Sequence, residues 1–166
     1  SGVDRLVKLS LTEKHLDKFD TALPLFRNYY SEHLLDFTAL YPNVNEILDY
    51  FKPKKRAVVT NKNGDFSIHI LKSLNIYNCF EKVICGDTLE DKKPHPAQIN
   101  AVINDLKADR KRSLIVGDGE SDITAGKNAK IHTCGLTCGF GKKEDLQKTE
   151  PDILIDDIID LKKHFS

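Results

Sequence analysis

The sequence predicts an α/β protein built on a parallel β-sheet. Short apolar segments of strand length alternate with longer segments whose apolar residues recur every three or four positions. The short segments show no polar–apolar alternation, which is typical of strands buried on both faces by helices. Polar or charged residues follow most of these segments directly. A length of 166 residues corresponds to one domain, or to one domain with a small satellite.

Composition excludes several classes of protein. Lysine plus arginine equals aspartate plus glutamate at 25 each, so the formal net charge is zero. A neutral chain lacks the electrostatic footprint of a nucleic-acid-binding protein or of one that binds an anionic membrane surface. No apolar run approaches the roughly 18 residues of a transmembrane helix. We therefore expect neither nucleic acid nor a membrane as a partner.

The four cysteines indicate the compartment. Cys134 and Cys138 are separated by three residues, which is not the CxxC spacing of a redox or zinc site. We interpret all four cysteines as reduced thiols, and we expect the protein to be cytoplasmic.

The N-terminal part predicts helices over residues 1–35. Apolar residues recur every three or four positions, and this stripe is expected to pack against the core. It comprises Leu16, Phe19, Leu23, Phe26, Tyr30 and Leu34. Pro24 is expected to kink or split the helix.

The rest of the chain alternates between strands and helices. A short helix is expected at about 43–51, and another begins near Asp65, a plausible N-cap. Further helices carry apolar residues at helical spacing over about 99–106, 121–129 and 158–165. Strands are expected at 57–59, 83–85, 114–116, near 132–136 and at 153–155.

The residues that could bind a ligand or act in catalysis follow the strand ends. Ligands of parallel α/β sheets bind outside the carboxyl ends of the strands. Thr60 and Asn61 follow one strand, Asp118 ends another, and Asp122 lies in the first turn of the next helix. Lys93 lies between Lys92 and Pro94, in a segment stiffened by two prolines. We expect these groups to meet at one rim of the sheet.

Asp118 and Asp122 are the candidate metal ligands. A tight turn should bring both carboxylates to one point, and oxygen-only ligation suits Mg²⁺. The alternative is that Asp122 stabilises a helix N-terminus and that Asp118 is a turn residue. The spacing of this pair does not decide between the two interpretations.

Thr60, Asn61 and Lys93 are the candidate phosphate ligands. The Thr60 hydroxyl and the N–H that follows it could hold a phosphate oxygen, and a lysine at the rim could neutralise its charge. The alternatives are a threonine that ends a strand and an ordinary solvated lysine.

Two nucleotide-binding patterns fit poorly. Gly117-x-Gly119 lacks the third glycine of a dinucleotide fingerprint, and the stretch from Gly135 to Lys142 has the wrong spacing for a P-loop.

Taken in order, these segments resemble three motifs of the haloacid dehalogenase superfamily of Mg²⁺-dependent phosphohydrolases. Val58-Val59-Thr60-Asn61-Lys62 resembles the second motif, Lys93 and its neighbours the third, and Gly117-Asp118-x-x-x-Asp122 the fourth. Three segments resemble the phosphoglycolate-phosphatase-like subgroup with a helical cap. They are Leu40-Tyr41-Pro42, Cys85-Gly86-Asp87-Thr88 and Ala125-Gly126-Lys127-Asn128-Ala129.

The resemblance implies a Rossmannoid three-layer α/β/α core with a parallel sheet and a small helical cap domain. Residues 1–38 would be a partial cap, and 39–166 the core without its first strand. By resemblance, Thr60 and Lys93 bind the phosphoryl group and act in catalysis. Asp118 binds Mg²⁺, with Asp122 as a direct or water-mediated ligand. The substrate would be a small phosphorylated metabolite.

One departure from the family is large. Its first motif is an apolar strand followed by Asp-x-Asp-Gly-Thr, which carries the nucleophile and the general acid. The printed sequence contains no such segment, and neither Asp87 nor Asp156 has the right position. Without the strand of this motif, strands 57–59 and 114–116 would share no neighbour. Our hypothesis is that the natural protein has a preceding βα segment of about 30 residues or more. We expect the chain as printed to be inactive.

The sequence is consistent with three functions. The first is a phosphomonoesterase that acts through an aspartyl-phosphate, with phosphoglycolate as the default substrate. The second is a non-catalytic relative that binds a phosphorylated ligand or a partner protein. The third is a phosphosugar mutase of the same superfamily. The sequence leaves the exact substrate and the oligomeric state open.

Overall fold

A computed structural model describes residues 2–11 and 13–165 and shows an α/β fold. Its N-terminal part is helical, with α1 (Gly2–Ser10), a 3₁₀ turn (Glu13–Lys18), α2 (Phe19–Glu32) and α3 (Val44–Tyr50). The alternating part that follows comprises β1 (Ala57–Val59), α4 (Gly64–Ser73), β2 (Lys82–Ile84), α5 (Ala97–Asp105), β3 (Leu114–Gly117), α6 (Glu120–Asn128), β4 (His132–Leu136), α7 (Lys143–Lys148), β5 (Ile153–Ile155) and α8 (Leu161–His164). Short 3₁₀ turns lie at Tyr77–Cys79, Arg110–Arg112 and Ile158–Asp160.

The strands form two parallel sheets. Strand β1 pairs with β2, with Val58 opposite Val83. Strand β4 lies between β3 and β5, in the order β3-β4-β5. Within residues 2–11 and 13–165, no strand joins β1 to β3. All residues of β1 and β3 are half-buried, whereas Thr133, Cys134 and Gly135 of β4 are fully buried. The expectation that the strands at 57–59 and 114–116 share no neighbour agrees with this arrangement.

Side chains of β3 alternate between two apolar clusters on opposite faces of its sheet. Leu114 and Val116 pack against one cluster, and Ile115 packs against the other. The buried members of the first cluster are Ile47, Cys134, Ile155 and Leu161, and those of the second are Ile99, Ile103, Ala125 and Ala129. Val59 of β1 also packs on the second cluster. Helices α5 and α6 therefore cover both β1 and β3, which holds the two strand ends near each other.

The N-terminal stripe differs from the prediction. Neither the 3₁₀ turn nor α2 contains a buried residue, and of the six stripe residues only Leu34 is buried. Leu16 is 48% exposed. Pro24 lies inside α2 and does not split it. The stripe contacts the rest of the protein through Tyr30, whose ring meets that of Phe66 edge-on at 5.1 Å.

Helix α4 is capped by Asn63, and the prediction that Asp65 is the N-cap was wrong. The Asn63 side chain accepts a hydrogen bond from Asp65 N at 3.0 Å. Asn63 Nδ2 donates to Asp87 Oδ2 at 2.6 Å, and Gly64 N donates to Asp87 Oδ1 at 2.9 Å. An asparagine outside the helix satisfies an orphan N–H that a residue already inside it cannot reach. None of the described helices is long and apolar enough to cross a membrane.

Gly126 allows α6 to lie directly against β3 and β4. A Cβ atom at this position would lie 2.5 Å from Ile115 Cγ2 and 2.7 Å from Thr133 Cγ2. We expect Gly126→Ala to destabilise the protein, because overpacking costs about 1–3 kcal/mol and outweighs a helix-propensity gain of at most about 1 kcal/mol. Urea unfolding measures this difference. Lys127→Ala, at an exposed position of the same helix, is the control. Equal stability of the Gly126→Ala variant and wild type would show that this contact is loose.

Candidate functional site

The Thr60 hydroxyl lies where the β1–β2 ladder ends. Thr60 N donates to Ile84 O at 2.9 Å, which extends the ladder by one bond beyond β1. The hydroxyl oxygen accepts a hydrogen bond from Lys62 N at 3.1 Å, so the chain turns immediately after the strand. No described residue accepts the hydroxyl proton. Thr60 can therefore donate a hydrogen bond to an anion at this strand end.

Lys93 reaches the same strand end from a loop 33 positions further along the chain. Its ammonium donates to Val59 O at 2.6 Å and to Asp122 Oδ1 at 2.6 Å. The Lys93 side chain is 9% exposed and that of Asp122 is 13% exposed. This contact links the end of β1 to the first turn of α6 across the gap between the two sheets. Lys93 is thus a nearly buried cation held at the rim.

Both carboxylate oxygens of Asp122 are occupied. Asp122 Oδ1 accepts from Lys93, and Oδ2 accepts from Gly119 N at 3.1 Å. The second bond fixes the turn between β3 and α6, and a Cβ at Gly117 would lie 2.4 Å from Asp122 Cβ. The carboxylate therefore neutralises Lys93 and also stabilises the start of α6.

Asp118 is held by a glycine-containing loop that follows β4. Phe140 N donates to Asp118 Oδ2 at 2.8 Å. A Cβ at Gly139 would lie 2.2 Å from Asp118 Oδ2, and one at Gly141 would lie 1.9 Å from Asp118 O. Only glycines permit so close an approach of the loop to this aspartate. Asp118 Oδ1 accepts no hydrogen bond from any described residue.

A magnesium ion fits Asp118 better than Asp122. Mg²⁺ is commonly held by one or two carboxylates together with waters and substrate phosphates. Asp118 offers one oxygen without a protein partner, whereas each oxygen of Asp122 already accepts a hydrogen bond. In the part of the chain that the structure describes, no three His, Cys, Asp or Glu side chains cluster as a metal site. Among the described residues, Asp118 could therefore supply one carboxylate ligand to such an ion.

Two aspartates at other strand ends have separate partners. Asp87, after β2, accepts two hydrogen bonds from the N-terminus of α4. Asp156, after β5, is contacted by the Thr137 hydroxyl and, at 3.3 Å, by Lys143 Nζ. These hydrogen bonds lower the pKa of Asp156. Each of these two aspartates is therefore held by contacts at its own strand end.

Sequence patterns alone missed several residues around the rim. Gln98 is fully buried, and its Nε2 donates to Cys85 O at 3.0 Å. Asn128 Nδ2 donates to Pro94 O at 3.1 Å and holds the lysine loop from the side of α6. Gly139 and Gly141 lie in the stretch whose spacing does not fit a P-loop, and that pattern gives no indication of their contact with Asp118. Their spacing around a single residue was the one available signal of a tight loop contact.

A separate cavity of about 350 Å³ lies between the N-terminal helices and α4. Its lining includes Arg27 and Ser31 of α2 and Asn63, Phe66 and His69 at or near α4. None of the candidate site residues lines it.

Comparisons with known proteins identify the family. Residues 5–136 match the family described as haloacid dehalogenase-like hydrolase. A phosphoglycolate phosphatase of Nitrosococcus oceani is 34% identical over 173 residues, covering all of this chain and 77% of that protein. One from Colwellia psychrerythraea is 38% identical, covering 86% of this chain and 65% of that protein. The crystal structure of a predicted phosphoglycolate phosphatase from Haemophilus somnus superposes with a TM-score of 0.85 at 34% identity, covering 98% of this chain and 73% of that one.

The chain therefore belongs to the haloacid dehalogenase-like hydrolases. Within that family it is similar to phosphoglycolate phosphatases. It spans 77%, 65% and 55% of the length of three of these relatives. The α/β fold class with parallel strands that the resemblance implies is confirmed. The division into a partial cap at 1–38 and a core at 39–166 stays a prediction.

Proposed function

We propose that the protein is a Mg²⁺-dependent phosphomonoesterase whose substrate is phosphoglycolate or a similarly small phosphorylated metabolite. The observation that carries the proposal is the contact between Lys93 and Asp122, with a Lys93 Nζ to Asp122 Oδ1 distance of 2.6 Å. It unites the lysine loop, the end of β1 and the start of α6 at one rim. The similarity to phosphoglycolate phosphatases supports the same activity.

Each residue of the proposal has a separate task. The Thr60 hydroxyl donates to a phosphoryl oxygen, and the Lys93 ammonium offsets the negative charge of the phosphoryl group. Asp122 keeps this ammonium in place, and Asp118 would hold the Mg²⁺. The ion would supply further charge stabilisation for the transferring phosphoryl group. Such positioning and charge stabilisation account for most of the catalysis of phosphoryl transfer.

The proposed route is a double displacement. A carboxylate oxygen attacks phosphorus, the bond from phosphorus to the ester oxygen breaks, and the leaving oxygen takes a proton. Water then attacks the phosphorus of the acyl phosphate and gives a proton to the group that protonated the leaving oxygen. The bond from phosphorus to the carboxylate oxygen breaks, which releases inorganic phosphate and restores the carboxylate. The carboxylate and the proton donor would be the two aspartates of the Asp-x-Asp segment that the family resemblance implies.

We also propose a cytoplasmic location. All four cysteines are free thiols. Burial raises the pKa of the Cys134 thiol to about 11, so this thiol remains protonated and unreactive near neutral pH. Free thiols are typical of a reducing compartment.

Phosphate release by the product of the complete gene tests the proposal. We expect release from phosphoglycolate in Mg²⁺, and loss of activity when EDTA removes the metal. A hexose 1-phosphate with its bisphosphate serves as the comparison substrate. Interconversion of sugar phosphates without net phosphate release would show a mutase. Phosphate binding without turnover of any substrate would show a non-catalytic relative. Either result would overturn the proposal.

A further inference from the structure

The Asn61 side chain binds the backbone of Lys93 at two points. Asn61 Nδ2 donates to Lys93 O at 2.9 Å, and Asn61 Oδ1 accepts from Lys93 N at 3.1 Å. The two residues are 32 positions apart in the chain. The acceptor and one donor hydrogen of the carboxamide are thus used on one residue. The sequence predicted Asn61 as a phosphate ligand, and these bonds suggest a different task for its side chain.

Lys93 needs such support because its side chain is long. A lysine side chain has many rotamers, and its ammonium can be displaced wherever its backbone can move. The ammonium has two partners, Val59 O and Asp122 Oδ1. The backbone of its loop is tied to β1 through Asn61 and to α6 through the bond from Asn128 to Pro94. Lys93 is therefore fixed at both its backbone and its charge.

We propose that Asn61 is a positioning residue that acts on phosphoryl transfer through Lys93. This inference rests on the proposed function and deepens it. The residue type follows from the geometry, because a carboxamide offers an N–H donor and a C=O acceptor side by side at neutral pH. An aspartate would accept from Lys93 N but would leave Lys93 O unpaired. An alanine would lose both bonds.

Asn63 provides a matched control. It is the same residue type two positions along, and its side chain also makes two hydrogen bonds. Those bonds hold the start of α4 and Asp87, and neither involves Lys93. Asn63→Ala should therefore lower stability without a specific effect on Lys93.

A double-mutant cycle in the product of the complete gene tests the inference. The measured quantity is kcat/KM for phosphoglycolate in wild type, Asn61→Ala, Lys93→Ala and the double variant. Loss of two hydrogen bonds should lower kcat/KM about 10-fold or more in the Asn61→Ala variant. In the Lys93→Ala background, the same substitution should have almost no further effect, because coupled residues are non-additive. Asn61→Asp should recover less than half of the lost activity.

Two results would overturn the inference. If the losses in Asn61→Ala and Lys93→Ala multiply, Asn61 contacts the substrate itself or acts elsewhere. If Asn61→Ala has no larger effect on kcat/KM than Asn63→Ala, its role is structural only.

Hydrogen exchange separates failure of this inference from failure of the proposed function. The Lys93 amide should exchange faster in Asn61→Ala than in wild type or Asn63→Ala, whatever the protein catalyses. Unchanged exchange would refute the contact between Asn61 and Lys93. If exchange is faster but the protein hydrolyses no phosphate ester, the contact between Asn61 and Lys93 is supported. The proposed function is then refuted, and the catalytic role of Asn61 is refuted with it.

Discussion

Replacing Lys93 by alanine should lower kcat/KM for phosphoglycolate by about 10²–10³, the usual effect of removing one preorganised electrostatic group. The Lys93 side chain is 9% exposed, and its ammonium lies between a backbone carbonyl and Asp122. A cation in so dry an environment stabilises a phosphoryl group more strongly than a solvated one. Steady-state phosphate release measures the loss.

Lys92→Ala is the matched control for this substitution. It removes a lysine from the adjacent position, and among the described residues the Lys92 side chain has no hydrogen bond or ion pair, so we expect activity near that of wild type. Lys93→Ala also leaves the nearly buried carboxylate of Asp122 without its cation, which destabilises the fold. The Lys93→Ala variant must therefore be shown to be folded before its activity is interpreted. Lys93→Arg keeps the charge and should fold, yet its planar fork cannot reproduce both contacts of the ammonium. Full activity of a folded Lys93→Ala variant would refute the assignment of Lys93 to the site.

Asp118→Asn should cause a loss of similar or larger size, about 10²–10⁴ in kcat/KM, because it removes the charged ligand proposed for the metal. Asparagine has nearly the shape of aspartate, and its carbonyl can still accept from Phe140 N. The close contact with Gly139 and Gly141 should therefore survive. Binding of Mn²⁺ alone, measured by paramagnetic resonance, should weaken in parallel with activity.

Asp156→Asn is the control for the metal assignment. Asp156 follows β5, which β4 separates from β3, and its carboxylate is engaged by Thr137 and Lys143. Its replacement should leave Mn²⁺ binding and the metal dependence of activity unchanged. Unaltered turnover and Mn²⁺ affinity in Asp118→Asn would refute the assignment of Asp118 as the metal ligand.

Local patterns predicted most of the alternating α/β part of the fold. The strands at 57–59 and 114–117 are continuous apolar runs, and the structure places each within one residue of its expected range. The burial of the N-terminal stripe was overestimated, because periodicity shows which face of a helix is apolar but not whether another element covers that face. Leu16, which is 48% exposed, shows that an apolar residue of the stripe need not be buried.

The site was predictable in its residue types but not in its pairings. Thr60, Lys93, Asp118 and Asp122 could be placed at one rim because parallel strands deliver their ends to the same edge of a sheet. The bonds from Asn61 to Lys93 and from Phe140 to Asp118 join positions 32 and 22 residues apart. Such contacts depend on how loops pack, and no periodic signal encodes them. The hydrogen bond from Gly119 N to Asp122 Oδ2 agrees with the alternative that Asp122 stabilises a helix N-terminus, whereas the bond from Lys93 to Asp122 Oδ1 emerged only from the folded geometry.

The central claim is that the phosphoryl group binds at the carboxyl ends of β1 and β3. The most direct test is titration of inorganic phosphate into the ¹⁵N-labelled product of the complete gene in Mg²⁺, followed by amide chemical shifts. We predict saturable shifts centred on Asn61 and Lys93, which disappear in Lys93→Ala. Shifts confined to the cavity between α2 and α4, with Asn61 and Lys93 unmoved, would contradict the claim.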